Sequence, residues 1–183
     1  MRLESCSRFA LFLALLGSAA LAHLAAAANP KDIARAKDTR QLAECVRCDL
    51  SNADLRDGFF QLANLIEANL SGSRFDGANM AGVQLMNANL ANASFHYTNF
   101  SGARFEGADL RGANFTHAWF NWAWFAGAKL DGANFTNAKM IGAQLQGADL
   151  SKVVGLTQNQ LLTACGDGAT RLPPGINAPR CPF

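Results

Sequence analysis

The chain has 183 residues, room for one domain with a sizeable core, and its sixteen Lys and Arg against fourteen Asp and Glu give a formal charge of +2. A balance this close to neutral supplies no strong field for nucleic acid or an anionic surface. Between residues 48 and 152, nine acidic and seven basic residues leave a net of −2, so the central stretch offers no such field either.

The first segment reads as an export signal. Arg2 and Arg8 flank a short polar start, an apolar run extends from Phe9 to Leu24 broken by Ser18 and His23, and Ala25–Ala28 supplies small residues for cleavage. Cleavage after Ala28 would leave Asn29 as the mature N-terminus, with no membrane span in the mature chain. The alternative is an uncleaved anchor, since Phe9 to Ala28 is just long enough to cross a bilayer. Residues 29–47 then form an N-terminal cap. A short helix is predicted from Pro30 to Glu44, with Ile33, Ala36, Leu42 and Ala43 as its apolar positions, covering the open end of the repeat array that begins at Cys48.

From Cys48 to Lys152 one five-residue unit repeats without insertion or deletion. Every fifth residue from Leu50 to Leu150 is Leu, Phe or Met, twenty-one times in succession. Two residues before each stands Ala in sixteen units, the exceptions being Cys48, Gly58, Ser73, Val83 and Thr98. A period of five fits neither a helix nor a plain strand. Ala53 and Leu55, two apart, share one face of a short extended piece, whereas Gly58, three further on, demands a corner. Folding the chain at twenty residues puts Leu50, Leu70, Leu90, Leu110, Leu130 and Leu150 in one column and Leu55, Phe75, Phe95, Phe115 and Phe135 in the next. Four corners per coil, with coils ~4.8 Å apart, bring every large apolar residue into one interior and leave room for only a small residue beside it.

Units such as Ala53-Asp54-Leu55-Arg56, Ala108-Asp109-Leu110-Arg111-Gly112 and Ala148-Asp149-Leu150-Ser151 resemble the A(D/N)LXX signature of the pentapeptide-repeat family over about 105 of the 183 residues. That resemblance implies an all-β, right-handed, four-sided β-helix with short helical caps at both ends. The flanking Cys45-x-x-Cys48-Asp49-Leu50, and the run from Ala164-Cys165-Gly166-Asp167 through Leu172-Pro173-Pro174-Gly175 to Cys181, also look familial. Well-known members mimic DNA and protect gyrase. The export signal and the absence of a dense acidic surface argue against that role and against nucleic acid as a partner.

On the outward positions, Asp109, Lys129 and Asp149 stack on one wall, with Arg111 below Asp131, and mutual support between coils is the expectation. His117-Ala118-Trp119-Phe120-Asn121-Trp122-Ala123-Trp124 holds all three tryptophans of the chain. Ala118, Phe120 and Ala123 point inward, so Trp119, Trp122 and Trp124 face outward around one corner. Arg104 and Gln144 flank Trp124, Asn99 and Lys139 flank Trp119, and Gly102 and Gly142 lie beside Trp122. Exposed indoles rimmed by Arg104 and Lys139 have the composition of a binding hot spot; equally, indoles can simply cover small neighbours, with Lys139 stacked on Trp119. Ser94, His96 and Asp76 are neighbours in the same fold. Ser and His two apart on a strand are ~6–7 Å apart, beyond hydrogen-bond reach, and a flat wall supplies no oxyanion hole. Tyr97 lies one coil below His117 as an edge stack, and a lone His without carboxylate company is a weak metal signal.

After Lys152 the pattern stops, and residues 153–183 form the second cap and tail. Thr157 and Gln160 read as a capping box, Leu161, Leu162 and Ala164 as the apolar face of a closing helix, and Gly166 as its stop. The proline-bearing tail from Asp167 to Phe183 is either an ordered strap or a loose end. In an oxidising compartment the four mature cysteines point to disulfides. Cys165–Cys181 would pin the tail, whereas Cys45 and Cys48 form a tight local bridge or two buried thiols.

These features point to an exported, non-catalytic scaffold without cofactor or metal that binds an unknown protein partner in the cell envelope. The competing readings are a glycan- or small-ligand-binding wall at the tryptophans, a DNA mimic, a hydrolase centred on His96, and a structural rod without partners.

Overall fold

The computed structural model describes residues 28–37, 45–178, 180 and 181. The apolar run of the export signal and the predicted helix positions Leu42 and Ala43 lie outside these residues.

Each pentad is built around one turn. The carbonyl of Leu50 accepts a hydrogen bond from the Ala53 N–H at 3.2 Å, and Asn52 between them has φ of 56°. Positive φ at the third position marks a type II turn, which favours Gly or Asn there. Of the twenty-one such corner positions from 47 to 147, ten are Gly and five are Asn or Asp; Arg47, Leu62, Glu67, Tyr97, His117 and Trp122 hold the same backbone with larger side chains.

Four turns complete a coil, so each residue pairs with the one twenty further on. Parallel bridges run Asp49–Asn69–Asn89–Asp109–Lys129–Asp149, and likewise along the other three walls. The Leu70 N–H donates forward to Asn89 O at 2.7 Å, while the Asn69 N–H donates back to Cys48 O at 2.8 Å. The result is the right-handed, four-sided β-helix, a rod of roughly 25 Å at strand spacing. In the first coil the corners are Ser51–Asn52, Arg56–Asp57, Gln61–Leu62 and Ile66–Glu67, numbered first to fourth for every coil.

The polar residue before each large apolar one has a structural task. Oδ1 of Asn99 accepts from the Ser101 N–H at 3.0 Å, and that of Asn114 from Thr116 at 3.1 Å, holding the turn from outside. Asn89 Nδ2 donates to Asn69 Oδ1 at 3.2 Å, and Asn69 Nδ2 to Asp49 Oδ1 at 3.1 Å, tying successive coils together.

All twenty-one Leu, Phe and Met positions are buried. Phe75, Phe95 and Phe115 stack at centroid separations of 5.5 and 5.3 Å, and Phe135 follows at 5.2 Å with its ring tilted by 39°. The polar exceptions at inward sites are satisfied by backbone: Ser73 Oγ donates to Leu70 O at 2.6 Å and Thr98 Oγ1 to Phe75 O at 2.7 Å. At Gly58 the ring of Phe60 occupies the space a methyl group would need.

Both ends are covered. Helix α1 (Pro30–Lys37) sits against the first coil through half-buried Ile33, with the Asn29 N–H donating to Asp49 O at 3.1 Å and Asp32 Oδ2 accepting from the Asp49 N–H at 3.1 Å. Cys45 and Cys48 form a disulfide across the fourth corner. At the far end the expected closing helix shrinks to a single 3₁₀ turn, Gln158–Leu161. Gln160 explains its placement: Oε1 accepts from the Thr157 N–H at 2.7 Å, while Nε2 donates to Phe135 O and Ala138 O at 2.8 and 2.9 Å. The chain then returns to the ladder, because the open carbonyls of the last coil need donors: the Cys165 N–H reaches Ala143 O at 2.9 Å and the Arg171 N–H reaches Ala148 O at 3.0 Å. The tail is a strap, held by the Cys165–Cys181 disulfide and by the Cys181 N–H on Gly166 O at 3.2 Å.

Phe115→Ala should destabilise the rod by ~3–5 kcal/mol, because the coils above and below cannot collapse into the gap; urea unfolding followed by circular dichroism measures this. Replacing both Cys165 and Cys181 with Ser should cost ~3 kcal/mol by the same assay.

Candidate functional site

The third corner gathers the outward tryptophans. Trp119 ends the wall that leads into the corner, Trp122 occupies the corner itself, and Trp124 starts the next wall. All three are exposed. Lys139 Nζ lies 5.4 Å from the Trp119 ring centroid, within cation–π range. Trp122 leans over the following coil, where a Cβ added to Gly142 would meet its ring at 2.5 Å. The indole therefore depends on glycine in the next coil. Arg104 stands one coil below Trp124, and its guanidinium is held by Glu106, with Nε and Nη2 at 3.0 and 2.8 Å from Oε1. Glu106 Oε2 and Asn121 Oδ1, at the edges of the same wall, are buried without a hydrogen-bond partner. The five residues named from sequence thus lie on one continuous surface.

Three further residues join them. Phe59 is in the Trp119 column, Leu62 is in the Trp122 column, and Ile141 is the neighbour of Gly142; all three are exposed. Sequence reasoning passes over Phe59 and Leu62 because each looks like a stray apolar residue. The signal is present in the twenty-residue columns, which align them with the tryptophans.

Elsewhere the walls are polar. Among the described residues, four ion pairs lie within one coil and three, Arg47–Glu67, Lys152–Asp131 and Arg171–Asp149, join successive coils. Arg56 pairs with Asp54 at 2.7 Å, Arg74 with Asp76 at 3.5 Å and Arg111 with Asp109 at 2.6 Å. Arg111 makes its direct ion pair with Asp109, two residues away on its own coil, and Asp131 one coil away adds the expected support as a longer-range Coulombic attraction. Asp131 itself meets Lys152 at 3.4 Å. The Arg56 hydrogen bond holds the Asp54 carboxyl down at about 2, and Arg111 likewise lowers Asp109.

At the second corner Ser94, His96 and Asp76 do meet, in an order that leaves the imidazole out. Asp76 Oδ1 accepts from Ser94 Oγ and from the backbone N–H of His96, at 3.0 Å in the latter case. The His96 ring packs edge-on against Tyr97 at 4.3 Å. Tyr97 and His117 stack nearly parallel, 12° apart at 4.7 Å, and not edge to face. Among the described residues, no group of three or more His, Cys, Asp or Glu is placed to hold a metal ion, and no helix is long and apolar enough to cross a membrane.

A family model for pentapeptide repeats matches in eight copies over residues 43–82, 88–123 and 120–154. The chain belongs to the pentapeptide-repeat family. Among solved structures it resembles a pentapeptide repeat protein from the Arabidopsis thaliana thylakoid lumen, 28% identical, with a TM-score of 0.51, covering 64% of this chain and 80% of that one. A pentapeptide repeat protein from the cyanobacterium Cyanothece 51142 is 26% identical, with a TM-score of 0.38, covering 78% of this chain and 97% of that one. A trypsin-treated form of QnrB1, a plasmid-mediated fluoroquinolone resistance protein, is 23% identical over 63% of this chain and 61% of that one, with a TM-score of 0.30. Comparison with curated proteins gives no match.

The lowered carboxyls make a pH prediction. Their folded pKa values lie below the unfolded one, so the stability they contribute is complete above the ordinary carboxyl range and is lost as pH falls through the folded values. The urea midpoint should stay level from about pH 7 to 5 and fall between about pH 4 and 2; in Asp54→Asn that acid-side decline should be shallower.

Proposed function

We propose that this pentapeptide-repeat protein is exported and serves as a non-catalytic scaffold that binds a protein in the cell envelope through Trp119, Trp122 and Trp124, with Arg104 and Lys139 at the rim. The observation that carries this reading is the exposure of all three indoles together on one corner, beside two cations. Tryptophan and arginine are the residues that most often dominate protein interfaces, and a contiguous exposed aromatic patch marks an interaction surface. The backbone adds weight. Trp122 holds φ of 60° where the same column has Gly82, Gly102 and Gly142. A large side chain in left-handed backbone costs about 1 kcal/mol relative to glycine, a cost the coil could avoid if the indole had no task.

Export agrees with the charged, apolar and small-residue order of residues 1–28, with the two disulfides of the fold, and with the lumenal location of the Arabidopsis protein. N-terminal sequencing of protein recovered from the periplasm or medium should begin at Asn29; a retained Met1 in a membrane fraction would instead make residues 9–28 an anchor.

The binding test uses residues already present in the same columns, so the rod is kept. Trp119→Asn, Trp122→Gly and Trp124→Gln, combined, reproduce Asn99, Gly102 and Gln144. Co-purification from the host envelope should recover proteins with the wild type that are lost with the triple variant at matched thermal unfolding. An identical set of proteins from both would remove the indoles from recognition.

A further inference from the structure

The tryptophans do not stand alone on their side of the rod. Phe59 and Trp119 share a column, as do Leu62 and Trp122, and each pair is sixty residues apart (119 − 59 and 122 − 62). Sixty residues are three coils, or ~14 Å along the rod. Between the two apolar clusters the third corner carries only Ala81–Gly82 and Ser101–Gly102. A Cβ added to Gly102 would meet nothing within 4 Å, so the middle of the strip is a shallow saddle. The clusters are well exposed: Phe59 keeps 68% of its surface, Leu62 62% and Trp122 63%. Leu62, like Trp122, holds left-handed backbone, with φ of 59°. Among the described residues from 48 to 152, the one large exposed hydrophobic away from the third corner and the two walls that meet there is Tyr97.

Two equal offsets in adjacent columns are what a two-fold axis across the rod requires. Turned end for end about an axis between the coils of Gly82 and Gly102, a second copy brings its Trp119 opposite Phe59 and its Trp122 opposite Leu62, and each contact occurs twice. We propose that this strip is a self-complementary interface at which two copies of the chain pair antiparallel, side by side. The inference rests on the reading of the tryptophan corner as a protein-binding surface and names a second copy of the chain as the protein that binds it. Charge agrees with the register. Arg104 falls opposite Gln84, Glu67 opposite Gly127, and Glu106 opposite Met86, so no like charges meet. A slip of one coil loses the match, setting Phe59 against Asn99 and Leu62 against Gly102. At the centre, Gly82 with the Leu62 side chain over it faces the open Gly102 of the other copy. The four aromatics and Leu62 remove roughly 500 Å² per copy from water, about 1,000 Å² in total. That is the lower end for a specific interface, so the dimer is weak and concentration-dependent.

Sedimentation equilibrium of the exported protein tests this. The apparent mass should rise from monomer towards twice that value as concentration increases through the micromolar range. Leu62→Arg alone and Trp122→Glu alone should each hold the protein monomeric, while the two together should restore association, because they face each other across the two-fold. Arg47 and Glu67 already occupy left-handed corners, so both substitutions suit the backbone. Gly102→Arg, whose Cβ would meet nothing within 4 Å, should abolish association at the cost of roughly 5 °C in the unfolding midpoint at most. A wild type that is monomeric at every concentration overturns the proposal, as does association that survives both single substitutions or is not restored by the pair. A monomeric wild type that still captures envelope proteins, and loses them in the triple tryptophan variant, overturns self-pairing alone. Retention of those proteins by the triple variant would overturn the recognition reading as well.

Discussion

The structure depends on one backbone constraint. Strand residues of the inner coils are hydrogen-bonded to residues near twenty before and twenty after them, so from Cys48 to Lys152 each coil must contain the same number of residues and each pentad must turn through the same corner. Bonds such as Leu70 N–H to Asn89 O, and Asn69 N–H to Cys48 O, persist along the walls because no insertion interrupts the period. An extra residue in any pentad would shift the register of all coils beyond it and turn apolar residues outward. The aromatic core, the turn-capping asparagines and the closures at both ends are consequences of that ladder.

The ladder also explains where information unrelated to folding can be stored. Inward positions are confined to Leu, Phe or Met and a small companion. The position before the large residue is drawn towards Asn and Asp by its hydrogen bond to the turn. Corner positions favour glycine or asparagine. Departures from these preferences are therefore readable. Phe59 and Trp119 stand where asparagine would hold a turn, and Leu62 and Trp122 where glycine would be relaxed. That these departures coincide on one side of the rod is the strongest reason to regard that side as functional. Tyr97 and His117 make a second departure at another corner, but they satisfy each other as a stacked pair.

Much of the fold is legible in the sequence because the repeat makes long-range neighbours out of simple arithmetic. The fold class, the inward set, the Phe75–Phe135 column and the outward tryptophans with Lys139 over Trp119 all follow from a period of five and a coil of twenty. Side-chain reach does not. Arg111 selects Asp109 on its own face over Asp131, a preference set by rotamers within one coil. The apolar spacing of the C-terminal cap predicts a helix, yet the last coil's unpaired carbonyls draw Cys165 and Arg171 back into the ladder and leave room for one 3₁₀ turn. The alignment of Phe59 and Leu62 with the tryptophans is available from the same arithmetic and becomes visible once exposure shows that both point outward.

Because all three tryptophans of the chain lie on this corner, intrinsic fluorescence reports on it alone. The most direct measurement is acrylamide quenching of tryptophan emission in dilute and concentrated solutions of the protein. Self-pairing predicts red-shifted, readily quenched emission when dilute, and a blue shift with protection from quencher when concentrated, as the indoles of one copy are covered by the other. Emission and quenching that stay the same across the series, with the indoles fully accessible throughout, would contradict it.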